Sequence, residues 1–122
     1  MKPDDGFILG RLKSAIYATK GLWILITTEH SFMFHGSISI LLLVLGYFNN
    51  LTNTQWGFQI LVIGLVMIAE ALNTAIEKLA DHIEPNAHKT IEIIKDVGAG
   101  AVLVGLIAEV AIVALIYVPK FL

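Results

Sequence analysis

From His30 to Ala69, forty consecutive residues include no Asp, Glu, Lys or Arg. No other feature of the chain restricts its fold so tightly. A helix of roughly 20 apolar residues crosses ~30 Å of hydrocarbon, so this stretch is long enough for two crossings. The polar, uncharged run Asn49-Asn-Leu-Thr-Asn-Thr-Gln55 divides it. A second stretch, from Val97 to Pro119, carries one charge, Glu109. Together they raise the apolar fraction of the 122 residues to 57% and hold the charged fraction at 15%, whereas soluble domains run at about half apolar and a quarter charged.

The expected fold is all-α and integral to a membrane, a single domain over 1–122. An N-terminal amphipathic surface helix covers about 6–28, and three spans cover about 32–48, 56–80 and 91–118. In the first helix Leu9, Leu12, Ile16, Trp23 and Ile26 share one side at helical spacing. Lys13, Tyr17 and Lys20 fall on the adjacent strip. Charge interrupts this segment too often for a crossing. It suits the membrane surface, with Tyr17 and Trp23 at headgroup depth; an ordinary core-packing helix is the competing reading. Trp56 is expected to open the second span. Ile83-Glu-Pro85-Asn-Ala-His88 breaks it, because Pro disfavours helix in the residue before it and lacks an N–H. The last helix is expected to start near Thr90 and to end at Pro119.

Basic residues orient the chain. Lys2, Arg11, Lys13 and Lys20 lie before the first span, the 49–55 turn has none, and three lie between Lys78 and Lys95. The positive-inside rule puts the N-terminus and the second loop in the cytoplasm, and the first loop and the C-terminus outside. The charged groups able to do chemistry then gather on the cytoplasmic side. The net charge of −2 offers no basic field for nucleic acid, and the absence of cysteine excludes disulfides and thiol chemistry. Met1–Asp5 is polar and is not followed by the pattern of a cleavable signal peptide.

Chemistry is concentrated in Glu70-Ala-Leu-Asn73-Thr-Ala-Ile-Glu77-Lys-Leu-Ala-Asp81. Positions 70, 73, 77 and 81 are three, four and four apart and form one stripe of a helix face. Carboxylates that continue an apolar span face protein or water rather than lipid. A cation, a proton, or Lys/Arg from elsewhere must relieve their mutual repulsion, and hard cations such as Mg²⁺ select oxygen ligands. A solvated acidic face is the plainer reading. It accounts for Asp81 better than for Glu70, which follows directly on the apolar run. The phosphate-binding glycine loops and the protein-kinase motifs are absent. His30, His35, His82 and His88 have no recurrent ligand spacing and are expected at surfaces or interfaces. Glu109 is expected to face the bundle, protonated or hydrogen-bonded, because an ionised carboxylate near mid-bilayer costs at least ~2.5 kcal/mol. Ala101 and Gly105 read as a helix-packing pair.

The stretch Ala69-Glu70-Ala-Leu-Asn73-Thr-Ala-Ile-Glu77, followed by Lys95-Asp96-Val-Gly-Ala-Gly-Ala-Val-Leu, resembles the prokaryotic diacylglycerol kinase family, which also contains undecaprenol kinases. The resemblance runs through Tyr17-x-x-Lys20-Gly-Leu and Glu29 before Phe32 to cover almost the whole chain. It implies a homotrimer with sites composed between subunits, using ATP and Mg²⁺. Position by position, it implies that Glu70 is the catalytic base and that Glu29 and Glu77 hold the metal. It assigns Tyr17, Asn86, Ala87, His88, Lys95 and Asp96 to the nucleotide. Arg11, Ser14, Ala15, Ile16, Ala18, Thr19, Glu70 and Asn73 fall to the lipid. The expected activity is transfer of the γ-phosphate to diacylglycerol in the bacterial inner membrane, with undecaprenol as the alternative acceptor. A non-enzymatic membrane assembly or cation-binding protein is the alternative of another class. Two positions depart from the diacylglycerol kinase branch, which has Glu-x-x-Phe-Arg-x-Glu where this chain has Glu29-His-Ser-Phe32-Met33-Phe-His35. Met33 replaces the Arg, and His35 is what the undecaprenol kinase branch carries.

Overall fold

A computed structural model describes residues 4–122; Lys2, counted above toward topology, lies outside them. The described residues form four helices and no strand: α1 (Phe7–Thr28), α2 (His30–Phe48), α3 (Asn53–Ile83) and α4 (Lys89–Phe121). The last three are long and apolar enough to cross a membrane.

Small and polar residues define the interior seam. In α2 the buried residues Phe32, Ser39, Leu42 and Gly46 recur at helical spacing. In α3 they are Gln59, Val62, Val66, Glu70 and Asn73, and in α4 Gly98, Val102, Glu109 and Ile116. Gly105 lies on the same α4 seam, where a Cβ would sit 3.5 Å from Val66. Small residues at the seam let the helices approach closely, as expected where lipid competes equally for apolar surface. α3 packs mainly on α4 and α2 lies against α3, while α1 reaches α2. Of α1 only Gly10 is buried, and Leu9, Leu12, Ile16, Trp23 and Ile26 are all exposed. Within one chain α1 is therefore not a core helix. The most apolar windows of α2, α3 and α4 are 17%, 33% and 22% buried, so most of their surface is left for lipid or for other chains to cover.

A buried polar clamp closes the end of the bundle near the α2–α3 turn. Gln59 is 0% exposed. Its amide donates to the Leu42 carbonyl of α2 at 3.0 Å and accepts from the Tyr117 hydroxyl of α4 at 2.6 Å. One side chain thus joins three helices, in surroundings where an unpaired polar group is costly. Leu51, Trp56, Ile112 and Ile116 pack around it. Gly46 is required there, because a Cβ would lie 2.8 Å from the Trp56 ring and 2.9 Å from the Gln59 amide nitrogen. Gly46→Ala is expected to cost about 1–3 kcal/mol through overpacking. Gly57 has nothing within 4 Å of its Cβ position, so Gly57→Ala is expected to be neutral or stabilising by up to ~1 kcal/mol. Unfolding titrations in mixed micelles measure both; equal stability of the two variants would contradict the clamp.

Two of the helix ends that run past the expected spans have a local cause. α3 begins at Asn53 rather than Trp56, because Thr52 and Gln55 form a reciprocal capping box. Asn50 turns the chain with φ 51°, a conformation Asn tolerates. α4 does not end at Pro119 but continues to Phe121, with the Leu122 N–H bonded to the Val118 carbonyl at 2.9 Å. Proline removes only its own N–H from the ladder, and the Leu122 N–H still closes the last turn on Val118. The break before α4 falls at Glu84–His88, where His88 Nδ1 caps the helix by accepting from the Thr90 N–H.

Candidate functional site

The seam turns polar toward the C-terminal half of α3, and the acidic stripe divides along it. Glu70 and Asn73 are buried, while Glu77 and Asp81 are exposed. Glu70 is 5% exposed. Its Oε2 lies 3.6 Å from His35 Nε2 of α2, slightly longer than a hydrogen bond. One turn on, the Asn73 side-chain amide donates to Glu77 Oε1 at 3.2 Å. Asn73 Oδ1 presses against Gly98 of α4, where any side chain would overlap it. Asn73 therefore holds Glu77 from a slot that only glycine leaves open.

Glu29 lies in the extended residue between α1 and α2. Its Oε1 pairs with Lys78 at 2.7 Å, which brings it to the α3 turn that carries Glu77. The Lys78 ammonium holds the Glu29 carboxyl below the usual carboxylate range, so it is ionised at neutral pH and able to ligate a cation. Lys95 of α4 pairs with Asp81. The repulsion within the stripe is thus met partly by Lys78 and Lys95 from the same chain.

Other expected site residues lie apart from this group. Tyr17 is 52% exposed. Ser14 and Thr19 bond to the carbonyls of Gly10 and Ala15, one turn back in α1. Arg11 lies over the Phe7 ring at 6.0 Å, and Ala15, Ile16 and Ala18 are exposed. Asn86, Ala87 and His88 form the exposed α3–α4 connection, where the Asn86 N–H donates to Glu84. Asp96 is exposed beside Lys95.

His35 corrects the expectation of a surface histidine. Its side chain is 11% exposed and faces Glu70. Helical spacing held the sign: position 35 is three after buried Phe32 and four before buried Ser39, which places it on the inner face of α2. Glu109 also faces inward, 7% exposed, as its cost in lipid required. Its Oε2 has no hydrogen-bond partner among the described residues, and the same is true of His35 Nδ1 and Asn73 Oδ1.

The arrangement sets a buried carboxylate beside an imidazole, within two turns of paired surface carboxylates. That suits proton removal at a membrane boundary next to a cation-assisted step. Comparison with known proteins decides the family. Residues 16–117 match the family described as prokaryotic diacylglycerol kinase. The chain belongs to that family. It is 36% identical over 108 residues to an undecaprenol kinase of Bacillus subtilis (strain 168), covering 88% of each chain. It is 33% identical over 99 residues to a diacylglycerol kinase of Escherichia coli (strain K12), covering 81% of each. These relatives are lipid kinases, and the chain is an enzyme of that class rather than a non-enzymatic assembly.

As a donor set, Glu29 and Glu77 fit Mg²⁺. Among the described residues no three His, Cys, Asp or Glu side chains gather into a metal cage. Mg²⁺ does not need one, because it binds through one or two carboxylates and completes its octahedron with phosphate oxygens and water.

Proposed function

We propose that this chain transfers the γ-phosphate of ATP to the hydroxyl of a membrane lipid. It works as a homotrimer in the bacterial cytoplasmic membrane, with its N-terminus and its chemistry on the cytoplasmic side. The observation that carries the reading is the depth of Glu70. It is the first charge after the uncharged run, is buried, and lies ~10 Å along the α3 axis from Glu77 at 1.5 Å per residue. A base near the lipid and a metal ligand near the nucleotide are what this transfer needs.

Glu70 accepts the proton of the lipid hydroxyl. The oxygen then bonds to the γ-phosphorus, the bond to the β,γ-bridging oxygen breaks, and ADP leaves. Asn73 holds Glu77 in place. Glu29 and Glu77 hold Mg²⁺, which when bound supplies charge neutralisation at the phosphates, the main demand of phosphoryl transfer. Lys95 and Asp96 take the nucleotide with Tyr17 and the segment Asn86, Ala87 and His88. Residues Arg11, Ser14, Ala15, Ile16, Ala18 and Thr19 of α1 face the approaching lipid. A groove of about 580 Å³ along α1 and α2, lined by Leu22, Ile26, Met33, Ile40 and Met67, suits the lipid's chain.

Undecaprenol is the acceptor favoured here. The Bacillus subtilis relative is named for it and matches over more of the chain, and His35 stands where the diacylglycerol kinase branch carries Glu. Diacylglycerol, the acceptor expected from sequence, is the second reading, supported by the Escherichia coli relative. Parallel assays in one micelle system separate them. The kcat/KM for undecaprenol is expected to exceed that for diacylglycerol by about tenfold or more, the discrimination an apolar site achieves. The reverse ratio would establish the second reading.

A further inference from the structure

We propose that Glu109, His35 and Glu70 form a directional hydrogen-bond row across α4, α2 and α3, in which Glu109 is a positioning residue that fixes the His35 tautomer facing the base. The row rests on Glu70 acting as the base, as proposed above.

Three titratable side chains from three helices turn into one apolar interior. Glu109 shares a groove with Ile38 and Leu42 of α2, one turn and two turns beyond His35, and lies within electrostatic reach of the imidazole. The atoms left without partners are complementary. His35 Nδ1 and Glu109 Oε2 are both buried and unbonded among the described residues, and each such atom is costly to leave so. A neutral imidazole offers one donor and one acceptor, and a protonated carboxyl offers one donor.

With a neutral imidazole, only one direction of the row is compatible with Glu70 as a base. If Nδ1 carried the proton and donated to Glu109, the Nε2 lone pair would face the Glu70 carboxylate. Glu70 would then need a proton of its own and could not take one from a lipid. If Glu109 carries its proton and donates it to Nδ1, Nε2–H points at Glu70 Oε2 and stabilises the ionised base. The present 3.6 Å closes to a hydrogen bond with a few tenths of an ångström of movement. With the imidazole neutral, this direction also leaves a single negative charge among the three groups, the fewest that keep the base ready. The partner of one imidazole nitrogen decides the state of the other.

The test combines ¹⁵N spectra of the histidine-labelled trimer in micelles with kinetics, the His35 signal being the one lost in His35→Asn. In the wild type, Nε2 is expected to carry the proton and Nδ1 to accept. Glu109→Leu is expected to shift the Nδ1 resonance and to lower kcat about tenfold, the order seen when an orienting partner is removed, with the KM for lipid and for ATP unchanged. Glu109→Gln, whose amide also donates, is expected to recover most of both effects, which a purely space-filling role would not require. A wild-type proton on Nδ1, or a Glu109→Leu protein with unshifted resonances or unaltered kcat, would overturn the row. Should Glu109→Leu fail to assemble, the wild-type tautomer decides. A wild type that transfers no phosphate yet shows the Nε2–H tautomer would break the kinase reading and support the row.

Discussion

Glu70→Gln is expected to lower lipid phosphorylation by 10²–10⁴-fold, the usual contribution of a general base. The substitution keeps the shape and polarity of a side chain that is buried against His35, and His35 Nε2 can still donate to the amide oxygen. ATP affinity and oligomer assembly are therefore expected to stay close to wild type, so the loss should fall on kcat. Single-turnover measurements with saturating ATP isolate the chemical step. Near-normal turnover in Glu70→Gln would remove Glu70 as the base and make Asp96, exposed beside Lys95, the next candidate.

Glu29→Gln and Glu77→Gln are expected to give the second-largest effects. Each removes a charged oxygen from the pair proposed for Mg²⁺. The Mg²⁺ concentration for half-maximal activity is expected to rise by at least ~10-fold, with turnover at low Mg²⁺ falling in parallel. Lys78 separates this reading from a structural one. It is bonded to Glu29 at 2.7 Å, so a residue kept only for that ion pair would show the same loss in Lys78→Met as in Glu29→Gln. If Glu29 serves the metal, Lys78→Met frees its carboxylate and leaves the Mg²⁺ requirement unchanged or lower. Mg²⁺ titrations of the four proteins measure this. Unchanged activity of both glutamine variants at limiting Mg²⁺ would contradict the metal assignment.

The helices were legible because charge is excluded from lipid. The uncharged run, the 49–55 turn and Pro85 mark where they run, and the spacing of Glu70, Asn73, Glu77 and Asp81 marks one face of α3. The division of that face was less legible. Burial of Asn73 depends on Gly98 of α4 admitting its side chain, which no spacing within α3 reveals. His35 was missed because a histidine at a span entrance reads as interfacial until Phe32, Ser39, Leu42 and Gly46 are seen to share its face. The Gln59–Tyr117 bond joins residues 58 apart, and no local pattern pairs them. The ion pairs of Glu29 with Lys78 and of Asp81 with Lys95 likewise depend on how helices meet, which periodicity alone does not give. Pro119 misled because a proline removes one N–H from the ladder without ending a helix whose later N–H groups still find partners.

The most direct measurement of the central claim is transfer of label from γ-labelled ATP to lipid by the purified protein in micelles containing Mg²⁺, with Glu70→Gln prepared in parallel. Label is expected in a chloroform-soluble phosphorylated lipid with the wild type, and to be reduced by at least ~100-fold with Glu70→Gln. Label that remains in ATP and inorganic phosphate with the wild type, whichever of undecaprenol and diacylglycerol is supplied, would contradict it.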